Sequence, residues 1–143
     1  MQKDEEVLAE IYRNSQLALQ SISNILPETE DEELRKEIES QHDLYEKISG
    51  KACVLARDKN IELKEPNPMK KAMMWGSIKM STLTDNSRSH IADMMVQGTV
   101  MGITALRTTA SELPIDGNDK IIALLNEMIQ AEEDMEKKWK EYL

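Results

Sequence analysis

An all-α fold is predicted by three features of the 143-residue sequence. Met, Leu, Ile, Ala, Glu and Lys dominate, there are 5 Gly and 4 Pro, and aromatics make up 3% with no Phe, a composition poor in strand formers. Apolar side chains recur with the 3.6-residue helical period over most of the chain. The stretch from Thr84 to Glu112 carries only His90 and Asp93 as ionisable groups between Arg88 and Arg107. A helix so apolar on nearly every side predicts cover by its neighbours. It does not predict a membrane span, because Asp93 near its middle would cost about 2.5–3.5 kcal/mol to insert. At this length residues 1–143 are expected to form one domain that buries roughly 68–70% of its unfolded surface.

The first helix is expected over Asp4 to Leu26, with Leu8, Ile11, Ala18, Leu19, Ile22 and Leu26 on one face together with Tyr12 and Ser15, stopping before Pro27. Thr29 with Glu32 has capping-box spacing, and acids crowd the following turn, so a second helix is expected from there to Asn60, a left-handed terminator. Its inward stripe is Leu34, Ile38, Gln41, Tyr45, Ile48, Ala52 and Leu55, and the short link makes helices one and two an antiparallel hairpin. Asn67 and Pro68 cap a shorter third helix to about Thr82. Its expected contact side is Met69, Ala72, Met73, Gly76 and Met80, with Trp75 and Ile78 near it, laid over the bundle as a crossover. Thr82 to Asp85 offer caps for the fourth helix, expected to lie at the centre. Pro114 to Asn118 reads as a turn, and the fifth helix runs from Asp119 with the stripe Ile121, Leu125, Met128, Glu132, Met135 and Trp139.

Two hairpins joined by a crossover make a four-helix bundle with one extra helix. This layout resembles the ferritin-like fold. More narrowly, Leu83-Thr84-Asp85, Ser89-His90-Ile91-Ala92, Met94-Met95 and the run from Gln97 to Ile103 are similar to small uncharacterised bacterial proteins of that superfamily. The resemblance implies the fold and assigns no activity.

Ferritin-like carboxylate enzymes place Glu-x-x-His units on two helices and a Glu on each of two others. Here one such unit occurs, Glu39-x-x-His42, and on a helical wheel Glu39 lies roughly 130° and His42 roughly 75° from the inward stripe, so Glu39 is expected in water. His42, His90 and Glu132 are the candidate ligands if iron or another transition metal binds; the competing reading has no cofactor. Glu132 on the inward stripe needs partners, and Tyr45, His90 and Gln97 are expected to form an interior polar network with it. The competing readings of that polar side are a subunit seam and a pocket for a small ligand or a single metal. The methionines of helices three and four offer thioethers to Cu(I), but in a chain without Phe they read more simply as adaptable packing. Gly98, Gly102 and Ala105 read as a close helix contact. Cys53 at the edge of a stripe reads as a small core residue.

The net charge of −9 argues against nucleic acid and anionic membrane surfaces as partners. A start without a basic, then apolar, leader and a single cysteine point to the cytoplasm. No nucleophile stands with a base and an orienting acid. The expected role is therefore a non-enzymatic bundle acting by self-association or partner binding, as a homodimer joined around Met95, Thr99, Gly102 and Leu106; the alternative is a metal-binding redox or storage protein.

Overall fold

The computed structural model describes residues 2–112 and 119–143. Five helices follow one another: α1 (Gln2–Ile25), α2 (Glu32–Asp58), α3 (Pro68–Thr84), α4 (Arg88–Ser111) and α5 (Asp119–Lys140), with a 3-10 turn at Leu26–Glu28 and no strand among the described residues. The expected turn at Pro114 to Asn118 lies outside the described residues. No described helix is long and apolar enough to cross a membrane.

Local chemistry sets the ends of these helices. Asp31, not Thr29, caps α2: its carboxylate accepts from the Leu34 amide at 2.9 Å, while the buried Thr29 hydroxyl donates to the Ile25 carbonyl. The helix ends as its sequence suggests, with Asn60 at φ 57°, and the amides of Asn60 and Ile61 turn back to the Arg57 and Ala56 carbonyls. Asn67 caps α3 through the Met69 amide at 2.8 Å. Ser87 caps α4, and Asp85 instead closes α3.

Cross-helix bonds give the directions. Asp4 meets Lys59 at 3.4 Å and Gln16 donates to Ser49 at 2.9 Å, so α1 and α2 are antiparallel. Tyr45 with Glu132 and Lys51 with Glu127 make α2 and α5 antiparallel as well. The Arg88 guanidinium lies 5.2 Å from the ring centre of Tyr142 and forks onto Asp31 at 2.8 and 2.9 Å, so α4 starts where α2 starts and α5 ends. The chain must therefore travel the length of the molecule between α2 and α4. It does so with α3 alongside α1, tied by Ser21 to Met74, Tyr12 to Glu65 and Lys79 to Glu28.

The core is the meeting of the α1, α2 and α5 stripes. Every residue of the expected α5 stripe is buried, as are Leu34, Ile38, Gln41, Tyr45, Ile48 and Ala52 of α2. At about 25 cal/mol per Å² of apolar surface removed from water, each fully buried Leu or Ile contributes about 1.5–3 kcal/mol. Cys53 is half-buried beside this core.

Two expectations about packing are corrected. Helix α4 is not central, for α1 is the helix that packs against all four others. One side of α4, including Asp93, Gln97, Met101, Thr104 and Thr108, faces solvent. The threonines satisfy themselves there, since Thr104 and Thr108 donate to carbonyls one turn earlier. Thr99, Gly102 and Leu106, expected to await a second copy, are buried within the chain. The contact face of α3 is likewise the opposite of the expected one. Met74, Ile78 and Thr82 turn inward, Met69, Met73 and Met80 turn out, and Lys71 and Lys79 beside the inner face reach Glu65 and Glu28.

Asn60 gives a first test: Asn60→Gly should leave stability within about 0.5 kcal/mol, whereas Asn60→Val should lower it by about 1 kcal/mol or more in urea denaturation, because a β-branched residue resists positive φ.

Candidate functional site

The α5 stripe is apolar except at Glu132, which is 3% exposed. Three helices fix its carboxylate. From α2 the Tyr45 hydroxyl donates to Glu132 Oε2 at 2.8 Å, while Oε1 has no hydrogen-bond partner. From α4 comes Gly102, where a Cβ would stand 2.8 Å from Oε2 and 3.2 Å from Oε1, so the carboxylate rests on a place that only glycine leaves open. Burial pushes the Glu132 carboxyl up to about 7, against the Tyr45 hydrogen bond, which favours the ionised form. Burial first, then the Glu132 charge and hydrogen bond, hold the Tyr45 phenol well above its ordinary range.

Gln41 lies one turn before Tyr45 and is equally buried. Its Nε2 donates to Glu37 at 3.2 Å, and its Oε1 is left without a partner. Glu132, Tyr45 and Gln41 form the inner wall of a cavity of about 560 Å³ between α1, α3 and α4. Its sides are apolar: Leu17, Ala18, Ile22 and Ile25 from α1, Met74 and Ile78 from α3, and Met94, Met95 and Ala105 from α4. Exposed Arg13, Lys70, Gly98 and Met101 mark where it opens.

Of the expected network, Tyr45 and Glu132 meet and the other two members stand elsewhere. His90 is half-buried at the α3–α4 junction with Nε2 2.7 Å from Ser81 Oγ, and exposed Gln97 donates to Asp93 at 2.8 Å. Helix α4 is rotated so that its polar side meets water, which takes both residues away from Glu132. The expected Gly98, Gly102 and Ala105 contact also divides. Gly102 is closed by Glu132, Ala105 lines the cavity, and Gly98 faces open space, with nothing within 4 Å of an added Cβ.

The metal candidates do not converge either. Among the described residues, the metal-capable group of three is His42 with Asp43 and Glu46 on one turn of α2, with Nδ1 3.7 and 3.0 Å from the two carboxylates. Asp43 and Glu46 are exposed, and Glu39 points to solvent as its angle implied. Glu132 has a phenol beside it, not an imidazole or a second carboxylate, so the arrangement does not fit a di-iron centre. The pocket weighed from sequence was placed on the polar side of α4 with His90 and Gln97; the cavity lies instead against Gly98, Gly102 and Ala105, with Glu132 and Tyr45 in its wall.

Comparison with protein-family models, with curated proteins and with solved structures finds no match to this chain.

The raised carboxyl makes a prediction about pH. Below about 4.5 Glu132 is protonated in both folded and unfolded chains; from there to about 7 the unfolded chain releases a proton that the folded one keeps, so stability falls as pH rises. Over that interval Glu132→Gln should gain about 3 kcal/mol relative to the parent, read by urea denaturation at both ends. A pH-independent difference would show that Glu132 is not held neutral by burial.

Proposed function

We propose that this chain is a non-enzymatic, ferritin-like four-helix bundle whose cavity between α1, α3 and α4 binds a small, largely apolar molecule. The observation that carries the reading is the 560 Å³ cavity with two unpartnered buried oxygens on its inner wall. The volume falls within the roughly 300–1,000 Å³ of ordinary ligand sites. Methionine walls suit a ligand of adaptable shape. Support for a ferritin-like layout comes from the two antiparallel hairpins, the antiparallel α2–α5 pair and the lengthwise connection carrying α3. A cytoplasmic setting is in keeping with an unpaired Cys53.

The test uses Nile red, a neutral apolar dye. The full chain should bind it with enhanced, blue-shifted emission. Gly98→Phe, which projects into open space on the cavity side, should weaken binding by about tenfold without loss of stability, since replacing a mid-helix glycine favours the helix by roughly 0.5–1 kcal/mol for Ala and less for Phe. Absence of dye binding, or equal binding by the variant, would remove the cavity reading.

A second reading, self-association as a homodimer, is favoured by one surface. Met69, Met73, Met80 and Leu83 form a stripe on the outer side of α3, from 70% to 85% exposed. Sedimentation equilibrium should then show a dimer at micromolar concentration that Met80→Lys dissociates; a monomeric parent chain would refute this reading.

A further inference from the structure

The polar atoms of the cavity do not ask for just any ligand. Two side chains of the inner wall each hold a buried oxygen without a partner, Glu132 Oε1 and Gln41 Oε1; the amide oxygen is a hydrogen-bond acceptor, and the carboxyl oxygen is one once Glu132 is ionised. The donors beside them are already engaged. The Tyr45 hydrogen goes to Glu132 Oε2, the Thr99 hydroxyl donates to the Met95 carbonyl at 2.7 Å, and Gln41 Nε2 is turned to Glu37. The cationic side chains that touch the cavity, Arg13 and Lys70, are exposed, and Arg13 is paired with Glu10 at 2.7 Å. The inner end is thus rich in acceptors, has a carboxylate, and lacks a donor or positive charge to match it.

We propose that this inner end receives the protonated amino group of an apolar amine, with Glu132 Oε1 and Gln41 Oε1 accepting its hydrogens and the apolar walls holding its hydrocarbon body. This rests on the reading of the cavity as a ligand site and specifies what that site selects. An ammonium brings three donors and no acceptor, the complement of what the wall offers. A charge-assisted bond to a carboxylate is about twice as strong as a neutral one, and a buried carboxylate left without a cation is costly, so amine and Glu132 stabilise one another's charged forms. A carboxylate or phosphate head would instead place like charge against Glu132 and leave both oxygens unserved. A hydroxyl head supplies one hydrogen for two acceptors. The body of the ligand meets Met74, Met94, Met95, Ile22 and Ile25, side chains that select for apolarity rather than for a fixed outline.

The experiment is competition against Nile red on the full chain at about pH 8, where Glu132 has given up its proton and an alkylamine keeps its own, with three heads on one body: octylamine, octan-1-ol and octanoate, each below its aggregation threshold. Octylamine should displace the dye at about tenfold lower concentration than octan-1-ol, and octanoate should be weakest. In Glu132→Gln the octylamine advantage should shrink to within about threefold while octan-1-ol is unchanged; the parent-chain series stands whether or not that variant folds. If Nile red binds but octan-1-ol or octanoate equals or exceeds octylamine, the amine inference is overturned and the cavity reading survives. If neither the dye nor any of the three binds, both are overturned. An octylamine preference that persists in a folded Glu132→Gln chain would also overturn it, by showing that the carboxylate is not what recognises the head.

Discussion

Helices α2 and α4 begin at the same end of the molecule, and most of what is distinctive in this fold follows from that constraint. Arg88 joins the two starts by its fork onto Asp31 and lies over Tyr142 from the end of α5. The pair is exposed, so it contributes little stability and serves mainly to set register. Because α2 finishes at the far end, residues 59–87 must come back the whole way, and a helix laid along α1 is the means. That helix has too few inward apolar side chains to close against α1 and α4 together. The cavity is the space it leaves.

How much of this was legible depends on how one-sided each helix is. In α5 the apolar positions recur so regularly that the whole stripe read in advance is buried, joined by Leu124 and Ile129, and Glu132 stood out as the acid among them. Tyr45 was legible as its partner because the α2 stripe is equally clean. Helix α4 gave no such bearing: methionines and threonines occur all round it, and threonines that bond their own backbone sit as readily in water as in a core. His90 and Gln97 were misplaced for that reason. In α3 methionines stand on both sides, and the side that packs is the one carrying Ile78 and Thr82, which the methionine count did not single out. Asp31 displaced Thr29 as a cap because several acceptors lie within three residues. A cavity is a deficit of side-chain volume shared by three helices, and no single stretch of sequence records it.

Glu132 is a poor choice for a residue whose only duty is to fill space. A leucine there would bury without a proton to hold, whereas the carboxyl is pushed up to about 7 and leaves one oxygen unserved. Total stability of a domain this size is about 5–15 kcal/mol, so a carboxyl held out of water is a substantial fraction of it. Gly102 adds to the cost, since a glycine inside a helix favours the unfolded chain. The two residues make sense together, one supplying the group and the other the room for it.

Helix α3 is fastened by little, with Ile78 and Thr82 as its fully buried side chains. In native proteins such segments open locally at a fraction of the free energy of global unfolding. The two hairpins hold their own apolar contacts on the far side of the cavity, so α3 can lift while they stay closed. Amide hydrogens of α3 would then exchange with solvent well ahead of those in α2 and α5. The loosening of one poorly anchored helix would therefore widen the mouth of the cavity long before the folded chain comes apart.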